Sequence, residues 1–525
     1  MSGADVSGPE VGIPDVLPIR HALFSLSDRT GADALAQALV ARGATVWATE
    51  GTAKALVGAG IETRAVSELV GQGAWLGGRV KTLHPSLLGG VLARRAEPRD
   101  MADLAERGIP AFDLVACTLY PFESLAADAP WEQVVETIDV GGVTLLRAAA
   151  KNARDVAVLS GIDQYGDALV ALEAHGGVPR ALRQAWAQAA FERTALYDAA
   201  IAARFTRAQG EDELPAAWVR GFRRARTLRY GENPHQDAAL YVDGAAATLA
   251  VDAVLEGKEL SYNNLVDLDA AMALVSEFAG PACGIVKHNE PAGVGRGAGA
   301  LEAFTRAFEA DALSAFGGVV AFNVEVDARA AEALAKPFLE CVTAPGFAPA
   351  ALDLLRAKKN LRLVRAQPPV PTRWEARALG DGLLVQGVRA DAPGIKLEVV
   401  SDRAPTPEEM EALLFAWSVV GRARSNAIVI ARADRTLGVG SGQTSRIDAV
   451  EVALLKARRS GHATEGAVLA SDGFFPFGDW VAPARAAGIT AAIQPGGSMR
   501  DAESIEACNQ AGIALVMTGR RLFRH

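Results

Sequence analysis

The sequence predicts an α/β protein of more than one domain, and three observations carry that expectation. At 525 residues the chain is too long for a single core, so two or three domains are expected. Apolar runs of strand length alternate with helical stretches in its first part, the pattern of a parallel sheet covered on both faces. Further on, Cys283 to Phe308 and Leu437 to Ala457 share one plan of apolar strand, Gly-rich loop and amphipathic helix. That repetition points to a duplicated α/β subdomain.

In chain order, MSGADVSGPEVGIPDV is acidic and rich in Pro and Gly, and residues 1–18 are expected to be a disordered tail rather than a signal peptide. HALFSLS (His21 to Ser27) reads as a strand and the run after Gly31 through Leu39 as a helix. ATVWAT (Ala44 to Thr49) is the next strand, and Gly51-Thr52 opens another helix. DLVACTLYPF (Asp113 to Phe122) and VAVLS (Val156 to Ser160) are further strands, and a helix over Arg180 to Arg207 closes the unit. The polar segment Gln209 to Pro215 is the expected boundary, giving a first domain over 19–208 and a second over 216–525. The second opens with the loop LRYGENPHQ (Leu228 to Gln236). It continues with GIVKH, a turn over Asn289 to Gly293, a helix near Leu301, then the strands GGVVAFN and NAIVIA. The Pro- and Arg-rich stretch Arg356 to Pro405 reads as an irregular connector.

Composition removes several functional classes. With 50% hydrophobic and 22% charged residues the chain is an ordinary soluble protein, and the cytoplasm is its expected location. A net charge of -9 argues against nucleic acid as a partner. Cys117, Cys283, Cys341 and Cys508 lie far apart without a CxxC pair, so neither a zinc ribbon nor a disulfide framework is expected. No apolar run is long enough to span a bilayer.

Two regions carry chemistry. Lys287 and His288 end an apolar run and enter a turn with Pro and Gly, so an amine and an imidazole meet at a strand end. Of 53 basic residues only ten are Lys. Where Arg is the default cation, a Lys marks a need for a compact charge with a shiftable pKa. In the first domain, Ser27-Asp28-Arg29-Thr30-Gly31, Thr49-Glu50-Gly51-Thr52 and Arg79-Val80-Lys81-Thr82 supply hydroxyls, cations and small residues at strand ends. Singly each is a helix cap, but three together read as a phosphate cradle. IDVGGVTLLRAAAKN (Ile138 to Asn152) adds Asp139, two glycines and Lys151, which suits a general acid or base.

In this order LFSLSDRTG, GTAKAL, LGGRVKTLHP, LYPF, IDVGGVTLLRAAAKN, LRYGENPHQ, the KHNEPAG region, SAFGG, SGQTSRI, SDGFFPF and RLFRH resemble a bifunctional purine biosynthesis family. Its members fuse an inosine monophosphate (IMP) cyclohydrolase to a 5-aminoimidazole-4-carboxamide ribonucleotide (AICAR) formyltransferase. The resemblance spans Leu23 to His525. It implies a methylglyoxal synthase-like parallel-sheet domain, then two cytidine deaminase-like α/β subdomains. No HxE followed by PCxxC occurs, so that fold is expected here without zinc. It implies 10-formyltetrahydrofolate as cosubstrate and AICAR, formyl-AICAR, IMP and reduced folate as ligands. It further implies a homodimer, and no metal or redox cofactor. A zinc deaminase, a regulatory nucleotide sensor, or a chain with only one active domain are the rival readings.

By motif position the resemblance implies that Ser27, Asp28, Arg29, Thr49, Glu50, Gly51, Thr52, Arg79, Val80, Lys81 and Thr82 contact the cyclohydrolase nucleotide. Cys117, Thr118, Asp139 and Val140 meet its base and ribose, Lys151 transfers protons, and Asp139 and Tyr120 orient the reacting groups. In the transferase, Arg229 and Tyr230 hold AICAR, and Lys287, His288 and Asn426 are catalytic. Gly317, Glu340, Arg446, Phe474, Asp479 and Arg521 line the ligand sites, with Ile447, Ser498 and Met499 on the folate side.

Overall fold

The structure, a computed structural model, describes residues 15–71, 76, 79–208, 214–243, 254–367, 374–388 and 395–525. The chain forms two compact units, Met1–Arg223 with Asp243–Ala245, and Arg224–Val242 with Ala246–His525. Most of the expected tail (1–14) and of the expected boundary (209–213) lies outside the described residues. The last part of the tail is ordered, because Val16 and Leu17 pair antiparallel with Pro179 and Val178.

In the first unit five strands form one parallel sheet: β1 (His21–Leu26), β2 (Thr45–Ala48), β3 (Arg64–Ala65), β4 (Leu114–Thr118) and β5 (Ala157–Leu159), in the order β3-β2-β1-β4-β5. Leu23, Phe24, Leu114 and Val115 are buried completely, as strands covered on both faces require. Helices α1 (Ala32–Val40), α2 (Glu50–Gly58), α3 (Gly141–Lys151) and α4 (Arg180–Ala208) supply the cover. The chain lays β2 and β3 on one side of β1, then returns to place β4 and β5 on the other. That reversal opens a crevice at the carboxyl ends of β1 and β4, where open α/β sheets bind ligands.

The second unit contains two six-stranded sheets of one design. The first has β6 (Val254–Glu256), β7 (Ala282–Lys287), β8 (Glu290–Arg296), β9 (Val319–Phe322), β10 (Cys341–Ala344) and β11 (Arg362–Arg365) in the order β6-β11-β10-β9-β7-β8. The second has β12 (Glu398–Val399), β13 (Ile428–Ala431), β14 (Thr436–Gly440), β15 (Val468–Ser471), β16 (Ala491–Gln494) and β17 (Ala514–Met517) in the matching order β12-β17-β16-β15-β13-β14. Each sheet has an antiparallel hairpin at one edge, a parallel middle and an antiparallel closing strand. A capped helix precedes each hairpin, α5 (Tyr262–Val275) or α7 (Pro407–Val420). Another follows it, α6 (Ala300–Ala310) or α8 (Arg446–Arg459).

The duplication has a sequence signature, Gly-Val-Gly at 293–295 in β8 and at 438–440 in β14. A Cβ on any of these four glycines would strike a backbone carbonyl of Ala307, Ala303, Ala453 or Ala449 on the helix lying against the strand. The counterpart of Leu437 to Ala457 is therefore β8 with α6, not the stretch beginning at Cys283. The turn expected over Asn289 to Gly293 is shorter than read. Only His288 and Asn289 form it, and Glu290 already pairs with Lys287. Pro291 is tolerated because β8 is an edge strand. The expected connector at Arg356 to Pro405 also holds structure: β11, a hairpin of Trp374–Leu379 with Gly382–Gly387, and β12.

Candidate active sites

In the first unit the ends of β1, β2 and β4, the loop at 79–82 and the start of α3 enclose a cavity of about 550 Å³. Ser27, Arg29, Thr49, Glu50, Gly51, Thr52, Arg79, Lys81, Thr82, Thr118, Tyr120, Asp139 and Val140 line it. The three loops picked out in the sequence thus meet, although up to 55 residues separate Ser27 from Thr82. Gly141 and Gly142 at the start of α3 leave room for the side chains that line the cavity. A Cβ on Gly141 would strike the Thr82 hydroxyl, and one on Gly142 would lie 2.5 Å from an Asp139 oxygen. Asp139 accepts the Gly142 N–H at 2.7 Å, and its own N–H donates to the Tyr197 hydroxyl at 2.9 Å. Burial pushes the Asp139 carboxyl above its ordinary range, while the Gly142 and Tyr120 N–H groups and the Lys81 charge oppose the shift.

Four expected residues do not line this cavity. Asp28 turns outward and accepts from the Thr30 N–H and hydroxyl at 2.9 and 2.7 Å. Val80 is half-buried and does not reach the lining. Cys117 is completely buried, its thiol directed at the Gly142 carbonyl 3.7 Å away, and burial raises its pKa. Lys151 is exposed at the last position of α3, about 15 Å along the helix axis from Gly141. A residue absent from the sequence reading is Glu136, which lines the cavity and pairs with Arg79.

In the second unit a cavity of about 440 Å³ is lined by Tyr230, Lys287, His288, Gly317 and Glu340, all picked out beforehand. Lys287 ends β7 and its Nζ donates to the Phe316 carbonyl at 2.7 Å. His288 and Asn289 have φ of 54° and 63°, both in the left-handed region, as a type I′ hairpin turn demands. In a regular strand neighbours face opposite ways, and the turn is what lets both groups reach one cavity. Arg229 is exposed, its guanidinium 5.6 Å from the centre of the Tyr230 ring.

Sequence reading passed over Asn264 and Asp267 on α5, both in this lining. Asn264 donates to Glu340 Oε2 at 2.8 Å, and Asp267 accepts the Asn289 N–H at 2.6 Å. The capping box at Ser261 was the available signal, since Asn in its third position leaves an amide free to turn inward.

Of the remaining expected residues, which lie outside that cavity, Asn426, Arg446 and Arg521 gather in a second cluster. Arg446 is buried, donating to Asn426 Oδ1 at 2.6 Å and Ser471 Oγ at 2.8 Å and pairing with Asp472. The Asn426 amide donates to the Gln443 carbonyl at 2.9 Å, so both its ends are engaged. The Phe523 ring takes Arg446 on one side at 5.9 Å and Arg521 at 5.1 Å. Phe474, Ile447 and Ser498 are half-buried, and Asp479 and Met499 are exposed. The C-terminus ties this cluster to the hairpin. Arg524 donates to Asn289 Oδ1 at 3.1 Å while its carbonyl accepts the Ser425 N–H at 2.9 Å. No role was expected for Arg524 from the sequence.

Among the described residues no group of His, Cys, Asp and Glu is arranged to hold a metal ion, and no helix is long and apolar enough to cross a membrane.

Comparison with known proteins gives a consistent set of relatives. The AICARFT/IMPCHase bienzyme family model matches residues 149–456, and the MGS-like domain model matches residues 31–144. The bifunctional purine biosynthesis protein PurH of Roseobacter denitrificans is 46% identical over 533 residues, covering 97% of this chain and 100% of that protein. PurH of Myxococcus xanthus is 45% identical over 516 residues, covering 96% and 100%. A solved structure, that of ForH, is 41% identical over 36% of this chain and 99% of its own, with a TM-score of 0.33.

Proposed function

This chain belongs to the AICARFT/IMPCHase bienzyme family, and from that premise we propose how its two cavities divide the two reactions it catalyses. It is a bifunctional enzyme of purine biosynthesis: AICAR is formylated, and formyl-AICAR is then closed to IMP. We assign formyl transfer to the cavity with Lys287 and His288, and ring closure to the cavity of the first unit. The observation that carries the assignment is the presence of a nucleophile-activating pair on one hairpin tip and a cationic, hydroxyl-rich cradle in a separate unit.

In formyl transfer the AICAR 5-amino group is a weak nucleophile, because its lone pair is delocalised into the imidazole carboxamide. As it attacks the formyl carbon of 10-formyltetrahydrofolate, His288 takes the amine proton. The Lys287 ammonium stabilises the oxyanion of the tetrahedral adduct and supplies a proton as the folate nitrogen leaves. Glu340, held by Asn264, and Tyr230 orient the nucleotide. We assign Asn426, Arg446, Phe474, Asp479 and Arg521, with Ile447, Ser498 and Met499, to the folate and to the remaining nucleotide contacts. We place the completed site between two protomers of a cytoplasmic homodimer.

Ring closure needs no external nucleophile. The carboxamide nitrogen attacks the formyl carbon within one bound molecule, and water leaves. Ser27, Arg29 and Thr49 to Thr52 cradle the phosphate. Asp139 and Tyr120 orient the carboxamide, and Lys81 is the cation placed to assist proton transfer. The deciding experiment follows tetrahydrofolate and IMP separately, with AICAR and 10-formyltetrahydrofolate supplied to the purified protein. Both products should form, and His288→Ala should stop the first while supplied formyl-AICAR still cyclises. Loss of both activities together in a folded His288→Ala protein would overturn the assignment.

A further inference from the structure

We infer that Asp267 is a positioning residue for formyl transfer, holding the His288–Asn289 turn so that the imidazole faces the cavity. The inference rests on the reading of Lys287 and His288 given above. Two consecutive non-glycine residues in the left-handed region are unfavourable, and such conformations persist only where surrounding groups determine them. Asp267 is one such group. Its carboxylate accepts the Asn289 N–H at 2.6 Å and lies close enough to His288 for that residue's N–H and imidazole to favour its charged form, so one anion acts on both turn residues. Arg524 fixes the other side of Asn289 through its Oδ1. The carboxylate rides on α5, a 14-residue helix anchored by the Ser261 cap, so it cannot drift with the loop. Burial raises its carboxyl above the ordinary range despite the two N–H groups, so the charge sits there against the preference of the fold.

The second sheet supplies an internal control. Aligned on their N-caps, Ser261 and Thr406, α5 and α7 have equal length, and the position of Asp267 is taken by buried Ala412. There the hairpin turns through Arg432 to Arg435, and none of these has positive φ. The same architecture therefore forms without the carboxylate. Asp267 accompanies the strained turn and the Lys-His pair, not the fold.

The test measures formyl transfer by the full chain carrying Asp267→Ala or Asp267→Asn, with His288→Ala alongside and melting temperature and ring closure recorded on the same samples. Asp267→Ala should lower kcat by roughly 10²-fold with KM for AICAR within about threefold, the signature of a misplaced catalytic group. Asp267→Asn retains an acceptor oxygen and should recover activity to within about tenfold of the parent. Ring closure of supplied formyl-AICAR should be unchanged in both. Should Asp267→Ala not fold, Asp267→Ser is read in its place. Near-parental kcat in Asp267→Ala beside an impaired His288→Ala would overturn the inference, as would equal losses in the Ala and Asn variants. An unimpaired His288→Ala would instead overturn the assignment of the site.

Discussion

At the scale of single residues, the two sites depend on which groups the turns present. His288→Ala should cut formyl transfer by roughly 10²–10⁴-fold, the range for losing a general base, with stopped assays of tetrahydrofolate release as the check. Lys287→Arg should also impair it although charge is kept. A guanidinium is larger, donates a proton poorly, and would not reproduce the Nζ contact with the Phe316 carbonyl. Full activity in Lys287→Arg would mean that positive charge alone matters. In the first unit Lys81 faces Asp139 in the cavity, whereas Lys151 lies at the far end of α3. Lys81→Ala should therefore lower closure of supplied formyl-AICAR by roughly 10²–10⁴-fold. If Lys151→Ala lowers it equally, Lys151 must be delivered by another protomer. Mixing the two variants should then restore activity in hybrid dimers, and absence of such rescue would exclude that route.

At the scale of elements, both hairpins owe their packing to paired glycines. Gly438→Ala places a methyl against the Ala453 carbonyl, so either β14 or α8 must move. Overpacking of this kind costs about 1–3 kcal/mol, and the melting transition of the second unit should fall accordingly in calorimetry. Ring closure should survive, because the first unit has its own core. An unchanged transition would mean that α8 is not held as closely as the structure places it. The loops of the cyclohydrolase cavity were legible because strand-end Ser, Thr and Gly are local signals. The central strands β10, β16 and β17 were not read, because CVTA, AAIQ and ALVM are four-residue runs buried on both faces. Such runs show no alternation, and nothing local separates them from buried helix.

At the scale of the whole molecule, the division into two units suggests that the activities can be parted. A fragment ending at Pro215 should cyclise formyl-AICAR without folate, and one beginning at Ala216 should formylate AICAR without yielding IMP. The cut belongs before residue 222, because the two-stranded ribbon of Phe222–Leu228 and Ala238–Asp243 would otherwise be severed. Activity measured on each fragment, after circular dichroism has established folding, checks this. A folded but inactive first fragment would show that ring closure needs the second.

The sequence by itself determined the α/β class, four of the five strands of the first sheet, the repetition later in the chain and the Lys-His pair. Each is written in residues close together, where periodicity, turn chemistry and small-residue spacing act locally. Only the tertiary structure decided which groups meet. It put Lys81 rather than Lys151 beside Asp139, engaged the Asn426 amide with Arg446 and Gln443, and turned Asn264 and Asp267 from α5 into the transferase cavity. An acidic residue on a helix looks solvated until the strand order brings another backbone against it. That order is fixed by long-range pairing and burial, which no short stretch of sequence contains.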